Sequence, residues 1–320
     1  MTASAVPAAP STGCDSAEES AVPTTQTLSL SSDGLSGTYI QDVPAGHVGQ
    51  PLPLIVDLHG YAEPAAVQAT VSTWNTFADT HGLVAVTPQI TRPVQLWNTA
   101  LGSHDLAWFS SLLTTVESDL CIDRNRVYVD GYSDGAFMAS AIACQLADRV
   151  AAVAPVAGLQ APARCKPARP VPVIAFHGTA DPFVSYQGGL GQKALDLPAP
   201  DGSHRTLGQS GSGTSTTGPS IPQQTTTWAR RNGCSSQPMD TIVASDVTLV
   251  RYHCPPGAEV ELYRVTGGGH AWPGSTFTRS ISSVVGRTTF SISADDLMWA
   301  FFLSHPLRTT TTTTTTTTTK

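Results

Sequence analysis

The sequence predicts an α/β fold, a mostly parallel central sheet with helices on both faces. Three observations predict it. Short apolar, β-branched runs alternate with amphipathic stretches along most of the chain, as parallel strands joined by crossover helices do. No shift in composition divides the 320 residues into two hydrophobic cores. The residue types that carry chemistry fall just after predicted strands, where open α/β sheets gather their sites.

Taken in order, residues 1–34 begin with an Ala/Ser/Thr/Pro-rich stretch and read as a mobile arm, tethered at Cys14. Gly37 to Val43 predicts an early strand, and Leu52 to Leu58 a buried one ending in His59-Gly60-Tyr61. The apolar spacing of 65–80 predicts one amphipathic helix, followed by a strand over 83–86. Leu106, Phe109, Leu112, Leu113 and Val116 form a helical stripe within 105–120. A strand over 126–130, a helix over 135–146 and strands over 150–156 and 171–176 follow. A helix near 223–232, strands over 247–252 and 259–265, and a closing helix over 293–303 complete the pattern. The catalytic domain is expected to span 35–307. Within it, the Gly/Ser/Thr/Pro-rich stretch 187–220 is too long for an ordinary loop and reads as a flexible insert. Residues 308–320 contain an unbroken threonine run, a low-complexity tail that cannot build a core.

Composition excludes several function classes. Charged residues are 13 % of the chain and the net charge is −7, so no basic face exists for nucleic acid. No run approaches the roughly 18 apolar residues of a membrane span. Six cysteines favour an oxidising compartment. Met1 to Pro10 has neither a basic nor an apolar leader region, so the expectation is a secreted protein whose leader is absent from this chain. Neither a C-x-x-C nor an H-x-x-x-H pair occurs, so neither a metal nor a cofactor is expected.

The chemical signal is Gly131-Tyr132-Ser133-Asp134-Gly135, set between a predicted strand and a predicted helix. A sharp strand-to-helix turn lifts a serine hydroxyl clear of the sheet. A serine hydroxyl needs a base to take its proton, and histidine has the pKa for that work. A carboxylate must then fix the imidazole tautomer. In chains with this elbow the order runs serine, acid, histidine. His270, in the glycine-rich turn Gly267-Gly268-Gly269-His270, is the best candidate base. His177, His204, His253 and His305 have ordinary structural readings as strand, loop or helix-end residues. Asp181, just past a strand, is the candidate acid. The backbone N–H groups of Tyr61 and Asp134 are the candidate oxyanion donors. Tyr61, Trp97 and Trp272 are candidate substrate-pocket residues, with Trp97 equally readable as a packed core residue.

Five motifs in order resemble those of the secreted poly(3-hydroxybutyrate) depolymerase-like esterases, a family that includes feruloyl and acetylxylan esterases. They are 58–61, 121–128, 131–136, 177–181 and 268–274, and the resemblance spans about 35–305. It implies an α/β-hydrolase fold, a metal-free Ser133–His270–Asp181 triad and carboxylic-ester hydrolysis through an acyl-enzyme. The substrate would be an ester-bearing polymer, a small ester or a plant cell-wall feruloyl or acetyl ester, with no membrane span and a monomeric enzyme. An acyltransferase of the same fold would use the same triad. The resemblance and sequence proximity favour the disulfides Cys144–Cys165 and Cys234–Cys254, which leaves Cys14–Cys121.

Overall fold

The computed structural model describes residues 6–15, 23–46, 49–211 and 215–307. Among them ten strands form a single sheet: β1 (Thr24–Ser32), β2 (Leu35–Val43), β3 (Leu52–Leu58), β4 (Val84–Ile90), β5 (Ile122–Tyr132), β6 (Ala152–Val156), β7 (Val173–Gly178), β8 (Pro238–Ala244), β9 (Val247–Tyr252) and β10 (Val260–Val265). Their spatial order is β1-β2-β4-β3-β5-β6-β7-β10-β9-β8. From β4 through β3, β5, β6 and β7 to β10 every pairing is parallel. Antiparallel strands finish both edges. The parallel centre is buried on both faces, which explains its near-continuous apolar runs.

The helices are α1 (Ala65–Ser72), α2 (Trp74–His81), α3 (His104–Asp119), α4 (Asp134–Gln145), α5 (Gln192–Leu195), α6 (Leu207–Ser210), α7 (Ile221–Arg231), α8 (Thr276–Ser280), α9 (Ser282–Val285) and α10 (Ala294–Ser304). Strand pleating sorts the core into two layers. Leu54, Val56 and Leu58 of β3 join α3, α4 and Trp228 of α7 on one face. Ile55 points the other way, towards Val71, Trp74 and the α10 residues Met298 and Phe302. No helix among the described residues is long and apolar enough to cross a membrane.

Three expectations are corrected. The single helix over 65–80 is two, because Thr73 takes a left-handed conformation (φ 57°) that ends α1 and starts α2. The N-terminal arm is not mobile in its described parts. Thr24–Ser32 pairs with β2 along its whole length, so the boundary at residue 34 falls inside a hairpin. Further upstream, Ala9 N–H donates to Asp123 Oδ1 at 2.8 Å and Asn125 Nδ2 donates to Pro7 O at 2.9 Å. The strand was hidden because its edge position leaves most of its side chains partly or fully exposed, so no apolar run marks it. The described part of 187–220 is also tied down: it carries α5 and α6, it buries Ala194, Ala199 and Leu207, and Pro198 bridges to Thr206. The threonine run lies outside the described residues.

Three disulfides join the described cysteines. Cys14–Cys121 fastens the N-terminal segment to the start of β5, Cys144–Cys165 links the end of α4 to the loop after β6, and Cys234–Cys254 ties the chain after α7 to the chain after β9. The latter two close loops with separations of 21 and 20 residues. By loop entropy each stabilises the fold by about 3 kcal/mol.

Candidate active site

Ser133 sits at the turn between β5 and α4 with φ 59°, a strained value for a residue with a side chain. Two glycines make the turn feasible. A Cβ on Gly131 would lie 2.4 Å from Gly135 O, and one on Gly135 would lie 2.1 Å from Leu58 O. Ser133 N–H donates to Val156 O at 2.9 Å, which anchors the turn to β6. The serine is partly exposed while its neighbours Tyr132 and Gly135 are buried.

Asp181 follows β7, and its side chain is fully shielded from solvent. Its Oδ1 accepts the N–H groups of Phe183 and Val184 at 2.8 and 2.9 Å. Its Oδ2 lies 2.7 Å from His270 Nδ1. Burial alone would raise this carboxyl. The charge and hydrogen bond of His270, with His177 and the Val184 amide, outweigh burial and hold it below its usual value. An ionised carboxylate only accepts, so His270 carries its proton on Nδ1 and presents Nε2 as the basic nitrogen. His177 closes the turn beside the acid. Its Nε2 donates to Val184 O at 2.9 Å, and burial lowers its pKa against the opposing charge of Asp181.

His270 follows β10 in a turn held by its own N–H, which donates to Val285 O at 2.6 Å. Tyr132 joins this turn to the serine elbow: its ring lies 4.9 Å from the imidazole and its hydroxyl donates to His270 O. Phe183 covers the imidazole at 5.0 Å. Sequence reasoning missed both roles, although Tyr132 lies within the elbow motif itself.

The loop after β3 approaches the serine from the other side. A Cβ on Gly60 would lie 3.4 Å from Ser133 Cβ. Three amides of this loop are already engaged. Gly60 N–H donates to Glu63 Oε2 at 2.9 Å, Ala62 N–H to Gln95 O at 2.7 Å and Glu63 N–H to Gly60 O at 3.3 Å. Among the described residues Tyr61 N–H is the amide of this turn left without such a partner, one residue along from Gly60. Asp134 is the first residue of α4, so its N–H has no partner inside the helix and lies at the positive end of the helix dipole. Glu63, which no motif singled out, latches this loop.

The two tryptophans expected in the substrate pocket lie in the core. Trp97 is 3 % exposed; its N–H donates to Asp134 Oδ2 at 2.7 Å and its indole N–H to His59 O at 3.0 Å. It therefore clamps the loop over 91–103 to the elbow. Trp272 is 0 % exposed, with its indole N–H on Asp295 Oδ1 at 2.8 Å. The chain folds back after His270, so the imidazole meets Asp181 while Trp272 points into the core. Tyr61 is partly exposed, and its hydroxyl donates to Pro198 O at 2.7 Å.

Beneath the site, Asp57 and Asp130 face each other on paired strands, both fully buried. Asp57 accepts from Gln68 Nε2 and Ser72 Oγ at 2.5 and 2.6 Å, and Asp130 accepts from Trp74 Nε1. Burial pushes Asp57 up to about 7, and burial and the Asp57 charge raise Asp130 well above its usual value. Burial also drives nearby Asp295 up to about 8. These groups hold protons more tightly folded than unfolded, where the usual value is 3.8. Their contribution to stability is therefore full below about pH 4 and is lost as pH rises through about 7. Asp57→Asn, a neutral mimic of the protonated acid, is expected to flatten this decline in urea midpoints taken from pH 5 to pH 9. Parallel declines in variant and parent would contradict this account of the pair.

No group of three or more potential metal-ligating side chains occurs among the described residues. Residues 37–182 match the family model described as Esterase PHB depolymerase, a span that includes Ser133 and Asp181 and stops short of His270. The chain is 29 % identical over 245 residues to feruloyl esterase B of Piromyces equi, covering 71 % of this chain and 41 % of that protein. It is 33 % identical over 135 residues to the bifunctional acetylxylan esterase/xylanase XynS20E of Neocallimastix patriciarum, covering 42 % of this chain and 20 % of that protein. The chain thus spans less than half the length of either relative. Acetyl xylan esterase from Aspergillus awamori superposes with a TM-score of 0.55 at 13 % identity, over 81 % of this chain and 98 % of that one, a likeness of fold.

Proposed function

We propose that the chain is a serine hydrolase of carboxylic esters with the α/β-hydrolase fold, a reading supported by its similarity to the poly(3-hydroxybutyrate) depolymerase-like and feruloyl esterases. The observation that carries the reading is the shielded Asp181–His270 pair, joined through Tyr132 to a strained serine elbow. Ser133 Oγ attacks the ester carbonyl carbon while His270 Nε2 takes the hydroxyl proton. Negative charge develops on the carbonyl oxygen, where the Tyr61 and Asp134 N–H groups and the α4 dipole stabilise it. As the tetrahedral intermediate collapses, the C–O bond to the alcohol breaks and His270 returns the proton to the leaving oxygen. Water then attacks the acyl-enzyme, giving up a proton to His270. The carboxylic acid leaves and Ser133 regains its hydrogen. Asp181 stays ionised throughout and stabilises the imidazolium.

The substrate is an ester of a polymer or its fragments, either a hydroxyalkanoate polyester or a feruloyl or acetyl ester of cell-wall polysaccharide. The named activities of the two relatives support the second class. The three disulfides support a secreted protein. Paired release assays separate the substrate classes: methyl ferulate and acetylated xylo-oligosaccharide on one side, a soluble 3-hydroxybutyrate trimer on the other. The expected result is hydrolysis in at least one arm at a kcat/KM well above the Ser133→Ala background. Hydrolysis of none would contradict the reading.

A further inference from the structure

The segment from Gln187 to Gly211 is anchored beside every member of the triad. On the acid's side, the N–H groups of Gly191 and Lys193 donate to Phe183 O and Pro182 O at 2.7 and 3.2 Å, directly after Asp181. On the base's side, Lys193 Nζ donates to Ser283 O and Val284 O at 3.1 and 2.6 Å. The next carbonyl, that of Val285, receives the His270 N–H. On the nucleophile's side, Pro198 O accepts from the hydroxyl of Tyr61, whose neighbour Gly60 lies against Ser133. The eight residues from Gly191 to Pro198 thus connect the flanks of all three catalytic positions.

The segment is also braced internally. Leu207 N–H donates to Leu197 O at 2.7 Å and Ala199 N–H to Arg205 O at 3.0 Å. Thr206 and Gln209 form a capping box at α6. The lysine contacts are charge-assisted, which strengthens them relative to neutral ones. Such bracing does not describe a loose loop.

We propose that residues 187–211 form a fixed strap across the approach to Ser133 that admits a small ester or a single ester-bearing chain and turns away esters packed in a surface. This rests on the ester-hydrolase reading above. The physical reason is distance. Attack requires the carbonyl within about 3–3.5 Å of the serine oxygen. A strap fastened to Tyr61 on one side and to Ser283 and Val284 on the other holds any flat array of neighbouring chains off by at least one backbone thickness, roughly 5 Å. A single chain can thread or lie beside the strap, whereas a packed face cannot bend to do so.

Tributyrin tests this, because one butyrate ester can be offered as dissolved monomer or as emulsified droplets. The parent protein is expected to show a rate that saturates with dissolved monomer and does not step up when droplets form. Two variants loosen the strap: Lys193→Ala, and Leu207→Ala, which takes a buried side chain out of its internal bracing. In whichever variants keep the parent's circular dichroism, the droplet-to-monomer rate ratio is expected to rise about tenfold while kcat/KM for soluble p-nitrophenyl butyrate stays within about threefold. A step at droplet onset in the parent, or an unchanged ratio in the folded variants, would overturn the strap. Absence of hydrolysis of both tributyrin and p-nitrophenyl butyrate by the parent would instead overturn the ester-hydrolase reading beneath it.

Discussion

Ser133→Ala is expected to lower kcat on p-nitrophenyl butyrate by about 10⁶-fold, with KM changed little. Alanine removes the only atom that forms the acyl-enzyme bond and leaves the backbone donors in place. The residual rate should then reflect only what the N–H groups of Tyr61 and Asp134 do for a water attack. Ser133 is held by its backbone, through the Val156 carbonyl and the glycines on either side, so the substitution should not disturb the elbow. Stopped assays at high enzyme concentration measure the difference. A variant within about tenfold of the parent would show that another group is the nucleophile.

Asp181→Asn is expected to cost about 10⁴-fold in kcat through the tautomer of His270. The two backbone N–H groups of Phe183 and Val184 require an acceptor at Oδ1. The asparagine carbonyl would take that place and turn its NH₂ towards His270 Nδ1. That nitrogen must then accept, so the ring proton moves to Nε2, the atom needed as base. The variant should keep its fold and substrate affinity, since the substitution preserves shape and four hydrogen-bonding sites. A loss of only a few-fold would mean that Asp181 does not orient the base.

Much of this was legible in the sequence because it is local. The strand over 52–58 announces itself by its near-continuous apolar run and the helix over Leu106 to Val116 by its periodic stripe. The elbow combines strand, glycine, serine and glycine within a dozen residues. What escaped is set by long-range contacts. Thr73 breaks a helix without being a glycine or proline, and β1 is polar enough to read as a linker. Whether a loop tryptophan faces cleft or core depends on where the chain returns. Trp272 meets Asp295 23 residues later, and Trp97 meets Asp134 37 residues later. The docking of 187–211 depends likewise on Tyr61 and Val284, 137 and 91 residues from their partners.

The central claim is that Ser133, His270 and Asp181 act as one unit, and covalent labelling tests it most directly. A fluorophosphonate needs the same activated oxygen as an ester, and its adduct can be placed by mass spectrometry of peptides. The account predicts one adduct per chain, on Ser133, with labelling slowed by orders of magnitude in His270→Ala. An adduct on a different serine, or equal labelling rates in parent and His270→Ala, would contradict it.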